Sequence, residues 1–313
     1  MAILFSCKVE KCINLADEVK IPGFLIIGAP KCGTTALWHF LNQHPGVCMS
    51  ENKEPRFFSR VPGSMEKKIT GDGPRLSGTF NRGYKWYASL FKNCKEGQLT
   101  GEASTIYFAT EDSPGLIHNH DPGIKLILML RHPVKRLYSH YWQEHKLGFE
   151  FPSFGEMVQK NNPRYCYYKK ISHYKQNLER YFQFFKREQI LILIQEEFNE
   201  EPETHLNKVY SFLNIASHSV NVNDRINEQV TPKHKKLAFL LMYLRFIKVN
   251  AIVPGFILER LKKFRTKLIQ KNAKPFKYEP LDESLFKQLY QEFVTDIEYI
   301  ETILGRSIKS WHY

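Results

Sequence analysis

The chain has 313 residues, 42% of them hydrophobic, and carries 45 Lys and Arg against 32 Asp and Glu, a formal charge of +13. That apolar content is enough to bury a sizeable core, and the positive excess points to anionic partners without naming them. No apolar run reaches the roughly 20 residues that a spanning helix needs. The six cysteines, at positions 7, 12, 32, 48, 94 and 166, show no C-x-x-C pair and no metal-ligand spacing, so free thiols in a reduced compartment are expected.

The first informative stretch is Phe24-Leu25-Ile26-Ile27-Gly28-Ala29-Pro30-Lys31-Cys32-Gly33-Thr34-Thr35-Ala36-Leu37. Its start predicts a buried strand at Phe24–Ile27, and a Gly-rich turn then leads into a helix. Such a turn presents unpaired backbone N–H groups at a helix N-terminus, where the helix dipole adds roughly half a positive charge, so an anion is the expected guest. Gly28 and Gly33 keep the G-x-x-x-x-G spacing of a nucleotide-triphosphate loop, but Thr34 stands where that motif needs lysine, and the cation, Lys31, lies inside the loop. A lysine so displaced suits a donor with one 5′-phosphate and no bound metal. Read alone, the turn also fits a plain connection. Pro30-Lys31-Cys32-Gly33-Thr34-Thr35 resembles the 5′-phosphosulfate loop, P-K-[SCG]-G-T-[TR], of the sulfotransferases that use 3′-phosphoadenosine 5′-phosphosulfate. The resemblance implies that Lys31, Cys32, Gly33, Thr34 and Thr35 hold this donor, with Lys31 also catalytic.

Past that helix, Glu51-Asn52-Lys53-Glu54-Pro55-Arg56-Phe57-Phe58 resembles the K-E-x-x-[FY]-F segment of the glycan-sulfating branch, heparan sulfate sulfotransferases included. There the glutamate matching Glu54 is the proposed catalytic base. The chemistry needs one, because the proton of an attacking hydroxyl or amine must pass to a positioned group as the new bond forms. Glu51 is the competing carboxylate. Pro62–Phe80, rich in Gly and Pro, is expected to be a long surface loop beside the acceptor. Gly101-Glu102-Ala103-Ser104-Thr105-Ile106-Tyr107 resembles a G-E-x-[ST]-x-x-Y strand end of the same branch; vertebrate heparan enzymes have a lysine where this chain has Ala103, which weighs against a heparan-type acceptor.

Ile124–Leu130 predicts a second buried strand, ended by Arg131-His132-Pro133 with the proline at a first helical position. In the resembled family the arginine and serine matching Arg131 and Ser139 grip the donor's 3′-phosphate. Arg136 also keeps the motif's spacing, whereas His132 replaces the usual Asp or Asn and reads as a turn residue. Tyr174–Phe185 and Glu203–Phe212 are periodic enough for helices, and Ile190–Ile194 is a third strand. Ser172-His173-Tyr174 resembles a Gly-x-Tyr element that brings its tyrosine to the donor, or is an ordinary helix start with Ser172 as N-cap. Gln195-Glu196-Glu197-Phe198, Asn227-Glu228 and the closing Leu304–Trp311, L-G-R-x-x-x-x-W, resemble further family segments, extending the likeness over about residues 22–311. Lys233–Lys274 interleaves cations with Leu, Phe, Ile and Tyr, and reads as a solvated helical face, a track for a polyanionic glycan or a membrane-surface contact.

Together these features predict one α/β domain over 1–313, with its core at 22–311 and a basic helical insertion at about 231–275. Helices should flank a central parallel sheet in the three-layer P-loop arrangement, with both donor loops at strand C-terminal ends. The resemblance implies transfer of a sulfuryl group from 3′-phosphoadenosine 5′-phosphosulfate to a hydroxyl or amine of a carbohydrate or glycolipid, with no metal and no nucleic-acid partner. The expected setting is the cytoplasm, with peripheral contact to an anionic membrane or glycan. Two alternatives stay open: a P-loop kinase of small metabolites, and a non-catalytic basic module that binds anions or glycans.

Overall fold

The computed structural model describes residues 22–60, 78–146, 152–221, 230–234 and 278–312, with scattered positions between 237 and 276. Five strands, β1 (Phe24–Gly28), β2 (Val47–Met49), β3 (Leu99–Ala103), β4 (Lys125–Leu130) and β5 (Ile190–Ile194), form a sheet in the order β2-β3-β1-β4-β5, every pair parallel. All five residues of β1 are buried, as expected of a central strand covered on both faces, so its sequence is a continuous apolar run and not an alternating one. β1 and β4 are neighbours, yet the chain leaves β1 toward one sheet edge and leaves β4 toward the other. Their C-terminal ends therefore border the crevice in which open α/β sheets bind ligands.

Helix α1 (Thr34–Gln43) follows β1 directly and buries Thr34, Leu37, Phe40 and Leu41 on one stripe. Burying leucine or phenylalanine contributes about 1.5–3 kcal/mol per side chain, which anchors the helix behind the turn. Further along come α2 (Tyr84–Ser89), α3 (Ser113–His120), α4 (Pro133–Lys146), α5 (Phe154–Gln159), α6 (Pro163–Ser172), α7 (Tyr174–Phe182), α8 (Gln195–Glu200), α9 (Pro202–Leu213) and α10 (Glu283–Leu304). Asp282 starts α10 by accepting the Leu285 N–H at 2.9 Å, and Gly305 ends it with φ 66°, a left-handed value that suits glycine. Val134, Leu137, Phe154, Tyr165, Leu289 and Phe293 belong to a second apolar cluster joining α4, α5, α6 and α10, beside the main core around the sheet.

The expected strands and the Glu203–Phe212 helix are present with small changes of boundary, while the helix expected at Tyr174–Phe185 ends at Phe182. Two expectations need correction. Cys48 and Cys94 form a disulfide, S–S 2.02 Å, with Cα atoms 5.6 Å apart, so the thiols are not all free. The pairing is hidden in sequence by a separation of 46 residues, and the cytoplasmic, reduced setting loses the ground on which it rested. Ser172 is not an N-cap: it ends α6, accepts from Arg136 Nε at 2.6 Å and donates to the Pro133 carbonyl at 3.1 Å. The start of α7 is met instead from α10, where buried Asp296 accepts the Lys175 N–H at 2.8 Å.

Val230–Pro232 and Ala273–Pro275 form a short antiparallel pair, at the two ends of the segment expected as a basic insertion. Most of Lys233–Lys274, residues 62–77 of the loop expected at Pro62–Phe80, and Asn227-Glu228 lie outside the described residues. Among the described residues no helix is long and apolar enough to cross a membrane, and no three His, Cys, Asp or Glu gather as metal ligands.

Candidate active site

The turn after β1 is built by backbone conformation. Lys31 and Gly33 have φ 73° and 85°, the left-handed region, and the Ala29 N–H donates to the Met129 carbonyl at 2.7 Å, pinning the turn to β4. For lysine that conformation costs about 1 kcal/mol. At Gly33 a Cβ would stand 3.4 Å from the Gln195 and Met129 side chains, an ordinary contact, so it is the left-handed backbone that calls for glycine there. Thr34 and Thr35 then open α1, at the dipole's positive end.

Two loops meet here. Lys31 Nζ donates to Gln143 Oε1 on α4, and the Lys31 carbonyl accepts from Arg131 Nη1 at 3.5 Å. Arg131 leaves the end of β4, and Ser139 lies in the second turn of α4 with 4% of its surface exposed. Lys31, Gly33, Thr34 and Thr35 thus lie on the turn and the start of α1, Arg131 reaches the Lys31 carbonyl, and Ser139 lies on α4, the helix whose Gln143 meets Lys31. Cys32 and Tyr174 stand behind that group. The Cys32 thiol is fully buried, and burial pushes it up to about 12, so it is neither nucleophile nor anion; only its main chain can serve a ligand. Tyr174 is likewise buried and donates its hydroxyl to the Arg131 carbonyl at 2.6 Å, bracing the second loop.

Arg136, fully buried, directs its donors to the Ser172 hydroxyl, the Tyr168 carbonyl and His140 Nδ1, so it ties α4 to α6. His132 does what an Asp or Asn would do at its place. Its Nδ1 accepts the Val134 N–H at 3.2 Å at the start of α4, and burial, helped by Lys135, holds the ring neutral by pushing it down to about 3. The C-terminal motif closes the same corner: the His132 N–H and Trp311 Nε1 each donate to a Glu196 oxygen at 3.1 Å, while Arg306 grips Glu197 with two bonds of 2.6 Å.

Glu54 stands at the C-terminal end of β3, the strand beside β1. It and Arg56 have φ 63° and 57°, and the segment after β3 holds this bent loop in place. The Glu54 N–H donates to the Ala103 carbonyl at 2.8 Å, the Arg56 N–H to Ser104 Oγ at 2.8 Å and the Phe58 N–H to the Tyr107 hydroxyl at 3.1 Å. Ser104 in turn donates its N–H to the Ile26 carbonyl of β1 at 3.1 Å, so the carboxylate loop and the anion turn share one scaffold. The Glu54 carboxylate accepts from Thr105 Oγ1 at 2.8 Å, the Thr105 N–H at 3.1 Å and Lys53 Nζ at 3.1 Å, with its side chain 24% exposed. Glu51, the competitor, is exposed.

One acid that the sequence reading placed in a motif but gave no role is buried. Glu102 on β3 has no exposure, and the Tyr107 and Ser104 hydroxyls approach its carboxyl without completing well-aligned hydrogen bonds. Burial, with Glu54 adding to it, pushes the group up to about 8, so it is mostly protonated at neutral pH. The sequence signals it only as a carboxylate within a strand, at the glutamate of the G-E-x-[ST]-x-x-Y segment.

The family described as a sulfotransferase domain matches residues 22–245. A mouse heparan sulfate glucosamine 3-O-sulfotransferase 6 is 30% identical over 200 residues, 63% of this chain and 53% of the relative. A mouse bifunctional heparan sulfate N-deacetylase/N-sulfotransferase 4 is 26% identical over 310 residues, 93% of this chain and 31% of the relative, so the chain spans about half or less of these relatives' length. A sulfotransferase crystal structure from Alicyclobacillus acidocaldarius superposes with a TM-score of 0.66 at 23% identity, covering 94% of this chain and 99% of that one, which shows the shared fold. With strand, anion turn and match in agreement, the chain belongs to the sulfotransferase domain family.

Proposed function

We propose that the protein transfers a sulfuryl group from 3′-phosphoadenosine 5′-phosphosulfate to a hydroxyl or amine of a carbohydrate or glycolipid. The observation that carries this reading is the shared scaffold at the C-terminal ends of three adjacent strands: a helix N-terminus with Lys31 and Arg131 after β1 and β4, and the carboxylate Glu54 beside the end of the adjacent β3. Cations with a helix N-terminus fit a polyanionic nucleotide, and a partly exposed carboxylate fits the removal of a proton. The acceptor's oxygen or nitrogen forms the bond to sulfur, the bond from sulfur to the bridging phosphate oxygen breaks with its electrons going to that oxygen, and the acceptor's proton passes to Glu54. Lys31 and the N–H groups at Gly33, Thr34 and Thr35 balance charge on the leaving phosphate, while Arg131 and Ser139 hold the 3′-phosphate. Positioning and charge stabilisation then supply most of the rate.

The names of the relatives support a glycan acceptor. Ala103, where vertebrate heparan enzymes have lysine, favours one other than heparan sulfate itself. The test is radiolabelled donor with heparan sulfate, its N-desulfated form, a neutral oligosaccharide and a glycolipid, each with and without a chelator. Label in a glycan or glycolipid, unaffected by the chelator, is expected. No transfer to any of them, together with no affinity for adenosine 3′,5′-bisphosphate, would overturn the proposal and favour the non-catalytic basic module, unless magnesium-dependent ATP turnover pointed to a kinase.

A further inference from the structure

The G-E-x-[ST]-x-x-Y segment divides its work in a way that its sequence does not disclose. Ala103, Ser104 and Tyr107 hold main-chain N–H groups of the carboxylate loop, those of Glu54, Arg56 and Phe58. Thr105 alone of these four holds the acid, and it does so at two points, Oγ1 to Oε1 at 2.8 Å and N–H to Oε2 at 3.1 Å. One donor would leave the carboxylate free to turn about its last torsion, whereas two donors from one residue, one on each oxygen, fix its plane. Lys53 and Arg56 also approach Glu54, at 3.1 and 3.9 Å, but they belong to the same loop and move with it. Thr105 is instead fixed to the sheet, since β3 precedes it by one residue and a short 3-10 turn, Thr105–Ala109, begins with it. Each carboxylate oxygen can accept more than one hydrogen bond, so this grip still leaves room for an acceptor's proton.

We infer that Thr105 is a positioning residue for sulfuryl transfer, holding the Glu54 carboxylate in the plane from which it takes the acceptor's proton. The inference rests on Glu54 being the base, and the test separates the two claims. Thr105→Val removes the hydroxyl donor at nearly constant shape, Thr105→Ser keeps it, and Glu54→Gln removes the base; the Thr105→Val/Glu54→Gln double variant closes the cycle. The acceptor is whichever of heparan sulfate, its N-desulfated form, the neutral oligosaccharide and the glycolipid wild type turns over fastest. Thr105→Val is expected to lower kcat about tenfold while acceptor KM and bisphosphate Kd stay within about twofold, with activity largely restored in Thr105→Ser. In the Glu54→Gln background the valine substitution is expected to cost nothing further, because there is no carboxylate left to orient. A damaging Glu54→Gln with a harmless Thr105→Val, or a Thr105→Val loss of equal size in both backgrounds, overturns the positioning role and leaves the base in place. A harmless Glu54→Gln overturns the base, and the role of Thr105 with it.

Discussion

Replacing Glu102 by glutamine should remove a pH dependence from the protein's stability. The carboxyl sits on β3 with no exposure, close to Tyr87, Tyr107, Ser104 and Glu54. Burial, reinforced by the Glu54 charge and partly offset by the Tyr107 and Ser104 hydroxyls, raises it from the ordinary 4.5 to about 8. The native state therefore keeps a proton at pH values where the unfolded chain has lost it. Stability falls as pH rises through that interval, is unaffected below it and levels off above it. At about 1.4 kcal/mol per pH unit, the whole interval amounts to about 5 kcal/mol for a rigid site and about half of that where the surroundings relax. Glutamine keeps the volume and cannot ionise. In urea unfolding the variant should differ little from wild type at about pH 5 and exceed it by about 2–5 kcal/mol at about pH 8.5. A difference that is the same at both pH values would refute the reasoning, since it would mean that Glu102 is ionised in the native state throughout.

Other outcomes follow from the same geometry. Lys31→Ala should lower turnover by at least about a hundredfold with the fold retained, as loss of charge stabilisation at a reacting group does; activity within about tenfold of wild type would remove Lys31 from the mechanism. Reducing the Cys48–Cys94 bond, or Cys94→Ser, should cost up to about 4 kcal/mol on the loop-entropy estimate for a 46-residue separation, read as a lowered urea midpoint, and an unchanged midpoint would show the bond to be immaterial. In the folded protein an alkylating reagent should modify exposed Cys166 and spare Cys32, whose thiol is buried and protonated; mass spectrometry of the peptides decides. Trp311→Ala should destabilise by about 3–5 kcal/mol as a buried aromatic, whereas Arg306→Ala, which breaks a partly exposed ion pair, should cost about 1 kcal/mol or less.

The sequence disclosed what burial writes into it. β1, β4 and β5 are largely buried and therefore read as apolar runs, and the two loops proposed to hold the donor follow β1 and β4 directly. β3 does not read this way, because Leu99-Thr100-Gly101-Glu102-Ala103 carries a buried acid and a glycine whose Cβ would meet the Phe24 ring at 2.2 Å. β2 has three residues, too few for a pattern, and the partner of Cys48 is fixed by the docking of the segment after α2 onto the sheet edge. Residue type and spacing also could not tell a ligand-facing side chain from a bracing one. Cys32 and Tyr174 fit the motifs, yet both point into the core, while Thr105, at an unspecified position of a strand-end motif, holds the proposed base. His132 shows the converse: the reading as a turn residue stands, since its ring nitrogen takes the capping role that the more usual Asp or Asn would fill.

The most direct test of the donor site is a calorimetric titration of the protein with adenosine 3′,5′-bisphosphate and with adenosine 5′-monophosphate, for wild type and for Arg131→Ala. Wild type should bind the bisphosphate at least about tenfold more tightly, because a charge-assisted contact to the 3′-phosphate is worth about 1.5–3 kcal/mol, and Arg131→Ala should abolish that preference while leaving monophosphate affinity nearly unchanged. Equal affinities for the two nucleotides in wild type, or binding of neither, would contradict a 3′-phosphoadenosine site between the loops that follow β1 and β4.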